Sequence, residues 1–222
     1  MMRLFSRAIH WGGVLALSLG AVAVQADSLD TLSQFLKQAR SGRADFTQTL
    51  TSPAKPGQTA RTKTSTGQFL FARPGRFRFE YKKPFPQTLV ADGQTFWLYD
   101  PDIGQATARS QAQALGSTPA ALIASSADLS VLQQDFMLEA VADAEGLVWV
   151  VATPRQKETS LQSVRIGLRV QGSEVTLARL DILDAFGQRS TLLFEHFELN
   201  PASVGAAQFQ FTPPAGVQVI RP

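Results

Sequence analysis

The segment Arg76-Phe77-Arg78-Phe79-Glu80-Tyr81-Lys82 alternates without a break, aromatic at every second position and charged at the others. Successive side chains of a β-strand point to opposite faces, so this run describes a strand with one dry face and one wet face. Phe69 and Phe71 stand in the same phase upstream, and Arg73-Pro74-Gly75 forms the turn between. Two neighbouring strands thus gather four phenylalanines and a tyrosine on one sheet face. Such a face must meet either an ordinary core or an apolar ligand.

Strand signals dominate the rest of the chain. Runs at 43–51, 63–72, 76–82, 86–91 and 95–100 predict strands, with Asp92-Gly93 as a hairpin turn. Residues 52–60 carry two prolines and a glycine and read as a mobile hairpin loop. The pattern breaks at Gly116. Thr118-Pro119 starts a short apolar helix, and Asp128 caps a second one running through Gln134. Strands resume at 135–142, 146–153, 162–170, 174–183 and 188–199, and one or two more follow Pro201. Ahead of all of them, Ser28 to Arg40 predicts a helix, with Leu29, Leu32, Leu36 and Ala39 on one face and Phe35 beside them. Asp30 lies in its first turn, Lys37 and Arg40 in its last, and Gly42 is placed as its stop. Hairpin-length links predict an antiparallel sheet, and a sheet of about ten strands must curl or close. The predicted class is therefore mainly β, within α+β. It is a strongly curved sheet or unclosed barrel, with helices too few to cover both faces and placed as a plug or lid.

The ends bound where such a fold works. Arg3 and Arg7, the apolar stretch Val14 to Val24 and the small-residue site Val24-Gln25-Ala26 read as a cleaved signal peptide over residues 1–26. The apolar stretch is too short for a membrane span, and the site has no cysteine for lipid attachment. Residues 27–222 remain as a single domain, expected to be a soluble monomer of the periplasm. The formal charge of +3 loses Arg3 and Arg7, so the mature chain is near neutral and its charge points to no partner class. With no cysteine, the fold rests on its sheet and core.

Catalysis finds little support. The mature chain keeps one histidine, His196, and has no Gly-x-Ser-x-Gly elbow, no His-Glu-x-x-His motif, no thiol and no phosphate-binding glycine loop. No catalytic residue, metal site or cofactor is assigned. Asp100 and Asp102, around Pro101, read as a turn; Asp181 and Asp184 read as solvated residues at a strand end. The basic run Arg73, Arg76, Arg78, Lys82 and Lys83 fits either the solvated face of a strand or a rim for an acidic protein, and export argues against nucleic acid. Phe46, Phe69, Phe71, Phe77, Phe79, Phe96 and Leu98 make the aromatic face. Periodicity alone leaves a packed core and a cavity equally open. The helices offer only Leu29, Leu32 and Leu36, with Leu122 and Ile123, to cover it, which favours a cavity.

Three stretches carry a resemblance: Gly67-Gln68-Phe69-Leu70-Phe71-Ala72-Arg73-Pro74-Gly75-Arg76-Phe77-Arg78-Phe79, then Leu89-Val90-Ala91-Asp92-Gly93-Gln94-Thr95-Phe96-Trp97-Leu98-Tyr99, then Phe209-Gln210-Phe211-Thr212-Pro213-Pro214-Ala215-Gly216-Val217. In this order, behind a signal peptide, the mature chain resembles the LolA family of periplasmic lipoprotein carriers. The resemblance implies an unclosed β-barrel with a helical lid over an apolar cavity. It implies a carrier, not an enzyme, that takes acylated lipoproteins from an inner-membrane ABC transporter and delivers them to an outer-membrane receptor of similar fold. Thr118-Pro119-Ala120-Ala121-Leu122-Ile123 looks like the lid helix. Arg73 corresponds to the arginine that holds the lid closed, and Phe77 to a cavity phenylalanine needed for loading. Phe79 stands where some relatives have tryptophan. The alternative is a carrier or sensor of the same fold that binds another lipid or hydrophobic ligand.

Overall fold

A computed structural model of the chain describes residues 22–54, 57–112, 124, 128–156 and 160–222, with side chains from Ser28 onward. Its first element is the helix α1, Val22–Gln38, followed by six strands: β1 Ser41–Ser52, β2 Arg61–Ala72, β3 Arg76–Lys83, β4 Gln87–Ala91, β5 Thr95–Asp100 and β6 Gln105–Ser110. A short helix α2, Leu129–Asp135, leads into β7 Phe136–Ala144, β8 Leu147–Pro154, β9 Leu161–Gln171, β10 Glu174–Asp184 and β11 Arg189–Leu199. A turn of 3-10 helix at Ala206–Phe209 precedes the last strand, β12 Gln218–Ile220.

All twelve strands join one sheet in the order β12-β6-β5-β4-β3-β2-β1-β11-β10-β9-β8-β7. The order never returns on itself, so the curved sheet is unclosed and keeps β7 and β12 as edges. The expected antiparallel architecture holds for every pair but one, since β12 lies parallel to β6. That pairing carries the chain from β11, at the middle of the sheet, to the far edge. The connection crosses the outer face of β3 to β5. There Phe209 is buried, Phe211 sets its ring 5.4 Å from both Trp97 and Tyr99, and Arg78 donates to the Gln208 carbonyl at 3.5 Å.

This crossing corrects the expectation of a wet outer face. Leu70 and Val90, in the outward phase, are buried beneath it. The basic run divides accordingly: Arg73 turns inward, Arg78 lies half-buried beside Glu80, and Lys82 and Lys83 alone in that run are fully exposed. Asp181 and Asp184 are not free in solvent either. Asp181 accepts from Arg179 at 2.9 Å and from the Thr191 hydroxyl at 2.8 Å, while Asp184 accepts the backbone N–H groups of Phe186 and Gln188.

Local chemistry explains the element ends. Asp92 accepts the N–H groups of Gln94 and Thr95, which fixes the β4–β5 turn. Asp128 caps α2 by accepting from Ser130 at 2.9 Å, a bond that holds its carboxyl below the usual range. The first helix begins at Val22, ahead of the predicted start, and ends at Gln38. Gly42 lies inside β1 rather than closing α1, and its missing side chain has another use. A Cβ there would come within 2.4 Å of the Phe71 ring. Gly67 is tighter still, since a Cβ would meet the Glu80 carbonyl at 2.1 Å and the Phe46 ring at 2.8 Å. Both glycines let rings lie flat on the backbone of the sheet.

Candidate functional site

The concave face is where the alternation of β1 to β5 points its apolar residues. Phe46, Phe69, Phe71, Phe77, Phe79 and Phe96 come together there, none more than 9% exposed, and Leu98 packs half-buried at their margin. The rings interlock: Phe69 and Phe79 are 4.5 Å apart, Phe46 meets Phe79 edge-on at 5.3 Å, and Phe77 meets Phe96 at 6.1 Å. Such aromatic pairs hold each other by dispersion and quadrupole geometry beyond simple burial.

The second half of the sheet completes the face with Val164, Ile166, Leu168, Leu177, Leu192 and Phe194 in the same cluster. Alternation in β9, β10 and β11 carries the signal for these residues, and all but Phe194 are aliphatic. Phe194 lies 5.5 Å from Phe69.

The helix α1 lies against the β7, β8 and β10 part of this face. Leu32, Phe35, Leu36 and Ala39 are buried in the cluster, and Leu29 packs half-buried against it. The stripe reads as predicted, at three- and four-residue spacing. Leu122 and Ile123, the other expected lid residues, lie outside the described residues, as do Thr118 and Pro119. Ala124 just beyond them is fully buried, and its carbonyl accepts the Gly75 N–H at 2.7 Å.

One end of the sheet is bound tightly to the helix. The Arg73 guanidinium donates to the carbonyls of Leu36, at 3.2 Å, and Ala39. These belong to the last turn and exit of α1, where carbonyls lack intrahelical donors and the helix dipole favours a cation. The same guanidinium lies over two rings, 5.3 Å from Phe35 of the helix and 5.0 Å from Phe71 of the sheet. It is thus a cationic wedge between helix and sheet. Burial pulls its pKa down to about 10. The Arg73 N–H adds a bond to the Arg40 carbonyl at 2.8 Å.

Two further residues reinforce this end, and motif reading gave no sign of either. Asn200, at φ 50, accepts from the N–H groups of Arg40 and Ser41 and donates to the Gln38 carbonyl. Gln111, 4% exposed, donates to the Gly75 carbonyl and accepts from the Gly93 N–H, which ties two hairpin turns together.

The opposite end is looser and more polar. The Tyr81 ring packs on Phe46 at 5.0 Å, while its hydroxyl donates to Gln48 Oε1 at 2.9 Å. Gln48 in turn donates to the Ser190 hydroxyl at 2.8 Å. Burial pushes the Tyr81 phenol up to about 12. A groove of about 410 Å³ opens beside it, lined by Gln48, Leu50, Lys63 and Tyr81 among others.

Elsewhere the titratable groups form surface pairs, Arg43 with Glu198 at 2.6 Å and Arg179 with Glu145 at 2.8 Å. His196 is an exposed residue on the outer face, with Nδ1 3.1 Å from Asp45 Oδ2. Asp100 accepts the Asp102 N–H and shapes a turn. Among the described residues, no group of three or more His, Cys, Asp or Glu side chains is placed to hold a metal ion. No described helix is long and apolar enough to cross a membrane.

An aromatic concave face, a covering helix and an arginine wedged between them are the parts on which comparison with known proteins bears. The family model described as outer membrane lipoprotein carrier protein LolA matches residues 37–212. The chain belongs to the LolA family. An outer-membrane lipoprotein carrier protein of Albidiferax ferrireducens is 58% identical over 196 residues, covering 88% of this chain and 92% of that one. A protein of the same description from Methylibium petroleiphilum is 51% identical over 205 residues, covering 92% and 95%. Among solved structures, a LolA superfamily protein from Nitrosomonas europaea superposes with a TM-score of 0.50 at 13% identity, covering 84% of this chain and 97% of that one. At that identity the likeness concerns the fold, and it agrees with the unclosed curved sheet described above. In LolA family terms, the β2–β3 turn with Arg73 and the β4–β5 hairpin both fall inside the matched span.

Proposed function

We propose that this chain is a periplasmic carrier of lipoproteins that shields their acyl chains on the phenylalanine face beneath α1. The observation that carries this reading is the position of Arg73, bonded to the exit of α1 while lying over rings of both helix and sheet. The rings of this face are already packed against one another. Acyl chains therefore gain their room by moving α1 away, and Arg73 sets what that movement costs.

The magnitudes fit a carrier. Each methylene taken from water is worth about 0.8 kcal/mol, so one long acyl chain represents on the order of 10 kcal/mol. Each charge-assisted bond that Arg73 gives up costs about 1.5–3 kcal/mol. Cargo binding exceeds that cost, yet part of its energy is spent on opening. The closed state regains those bonds when cargo leaves, which favours release to a receptor. The cycle uses binding alone and requires no catalytic group or nucleotide on this chain. Its partners are an inner-membrane ABC transporter that supplies the cargo and an outer-membrane receptor that accepts it, with the carrier acting as a monomer between them after removal of residues 1–26.

The test is release of a triacylated lipoprotein from spheroplasts by the purified chain, followed by transfer to receptor-bearing membranes. A soluble complex that passes its cargo on is the expected result. Arg73→Leu should load cargo and deliver it poorly. Phe77→Glu should load poorly while keeping its fold. A folded protein that extracts no lipoprotein, yet co-purifies with another lipid, would replace this reading with that of a lipid carrier or sensor.

A further inference from the structure

Among the described residues, the three most exposed large apolar side chains are Phe186 at 79%, Ile103 at 68% and Phe85 at 61%. Each sits in a turn, and the topology brings all three turns to one end of the sheet. β3 runs from the Arg73 turn toward Phe85, and β5 runs from the Asp92-Gly93 turn toward Ile103. β10 runs from Ser173, whose carbonyl accepts from Gln34 and Gln38 of α1, toward Phe186. These tips therefore mark the end opposite the Arg73 wedge.

Their surroundings are basic. The Lys63 ammonium lies 4.9 Å from the centre of the Phe85 ring. Lys82 and Lys83 precede Phe85, and Arg61 and Arg189 open β2 and β11; all four are exposed. Of the nearby acids, Asp100 and Asp184 are turned onto backbone N–H groups of their own turns, and Asp102 is exposed.

We infer that this end makes a transient contact with an anionic bilayer surface. The three apolar tips enter the interfacial layer, and the Lys and Arg side chains face lipid phosphates. Interfacial binding combines apolar side chains with cations in this way, and without a covalent lipid it stays weak and reversible. Phe85 and Ile103 line one groove, and the separation of Phe186 from them favours a bilayer over a protein partner. The β3–β4 and β10–β11 turns are separated by β2 and β1 in the sheet, roughly 15–20 Å at the usual strand spacing. Protein-binding hot spots cluster into one desolvated patch, whereas a deformable interface accepts separated anchors one by one. The inference goes beyond the carrier reading and does not require cargo to be bound.

The experiment is flotation of the purified mature chain with vesicles of phosphatidylglycerol and phosphatidylcholine, against vesicles of phosphatidylcholine alone. Binding to the anionic vesicles is expected to weaken roughly tenfold in high salt or on the neutral vesicles. The combined variant Phe85→Ser, Ile103→Ser, Phe186→Ser should lose most of that binding with an unchanged melting temperature. Lys82→Glu with Lys83→Glu should remove much of the salt-sensitive part. Absence of binding to anionic vesicles, or equal binding by the triple variant, would overturn the contact. Lipoprotein release from spheroplasts is followed in parallel. Wild-type chain that carries cargo but ignores anionic vesicles refutes the bilayer contact and leaves the carrier reading standing. A triple variant that fails only at cargo uptake or delivery, when wild type never bound vesicles, would assign the tips to a protein partner instead and also refute it.

Discussion

The two ends of the sheet are built on different principles. At the Arg73 end, polar groups reach across elements and satisfy one another: Arg73 to Leu36 and Ala39, Asn200 to Gln38, Arg40 and Ser41, Gln111 to Gly75 and Gly93. At the Phe85 end, Phe85 and Ile103 line one groove and Phe186 stands apart from them, all three with their side chains largely in solvent. Both ends share the same strands and the same aromatic face. The difference teaches that the exit of α1 is anchored at one end of the sheet while the largest exposed apolar side chains sit at the other, so the two ends draw on different residues.

The largest effect expected from breaking this contrast is at Arg73. Arg73→Leu removes two bonds worth about 1.5–3 kcal/mol each, so local opening at the end of α1 should become easier by on the order of a hundredfold or more. Hydrogen exchange of the amides around α1 should accelerate accordingly, and Arg73→Lys, which keeps the charge but not the fork, should fall between. Next comes Gln111→Ala, which removes two hydrogen bonds from the turns at Gly75 and Gly93 and should lower unfolding free energy by about 1–3 kcal/mol in denaturant titration. Asn200→Ala, on the exposed side of the same end, should cost about 1 kcal/mol, because water replaces its bonds while the left-handed backbone disfavours alanine. Asn200→Gly separates the two contributions by relieving the second.

The Phe85 end should respond less. Tyr81→Phe removes one hydrogen bond and should cost about 0.5–1.5 kcal/mol at neutral pH. Its pH dependence has a defined sign. The phenol titrates near 12 in the folded chain against 10.0 when exposed, so the unfolded chain loses its proton first. Stability from the neutral phenol is whole below pH 10 and is lost as pH rises through 12. Phenolate absorbance, compared between wild type and Tyr81→Phe, locates that midpoint. The smallest effect belongs to Phe85→Ser, Ile103→Ser and Phe186→Ser, each within about 0.5 kcal/mol of wild type in stability. A large loss at any of them would mean that this end too is a structural clamp.

Much of the concave face was legible because a half-buried strand writes its burial in period two. The positions of Phe69, Phe71, Phe77 and Phe79 follow from alternation, and the α1 stripe of Leu32, Leu36 and Ala39 from helical spacing. The strand Gln105–Ser110 escaped because its Gln-Ala-Thr-Ala-Arg-Ser sequence carries no large apolar residue; Ala106 and Ala108 are buried all the same. The covered outer face was masked for a related reason. Arg78 is charged and reads as solvated, but its neighbour in space is a segment 130 residues away that brings Phe209 and Phe211. The ties at Asn200 and Gln111 were invisible because each joins distant turns through one side chain, and nothing in the local sequence distinguishes such a residue from an ordinary loop amide. Arg73 was read through family resemblance; its own surroundings in the sequence place it only in a turn.

The free edges β7 and β12 have a mechanical consequence. In a closed barrel the number of strands and their stagger fix the girth, so a wider interior requires breaking a ladder. A sheet with two ends of its ribbon unjoined can uncurl slightly by spreading small changes of twist over eleven neighbouring pairs, with every hydrogen-bond ladder intact. The interior of this protein is thus elastic in circumference. Guests of different bulk can be met by a change of curvature, and the strain is shared by the whole wall instead of falling on any one seam.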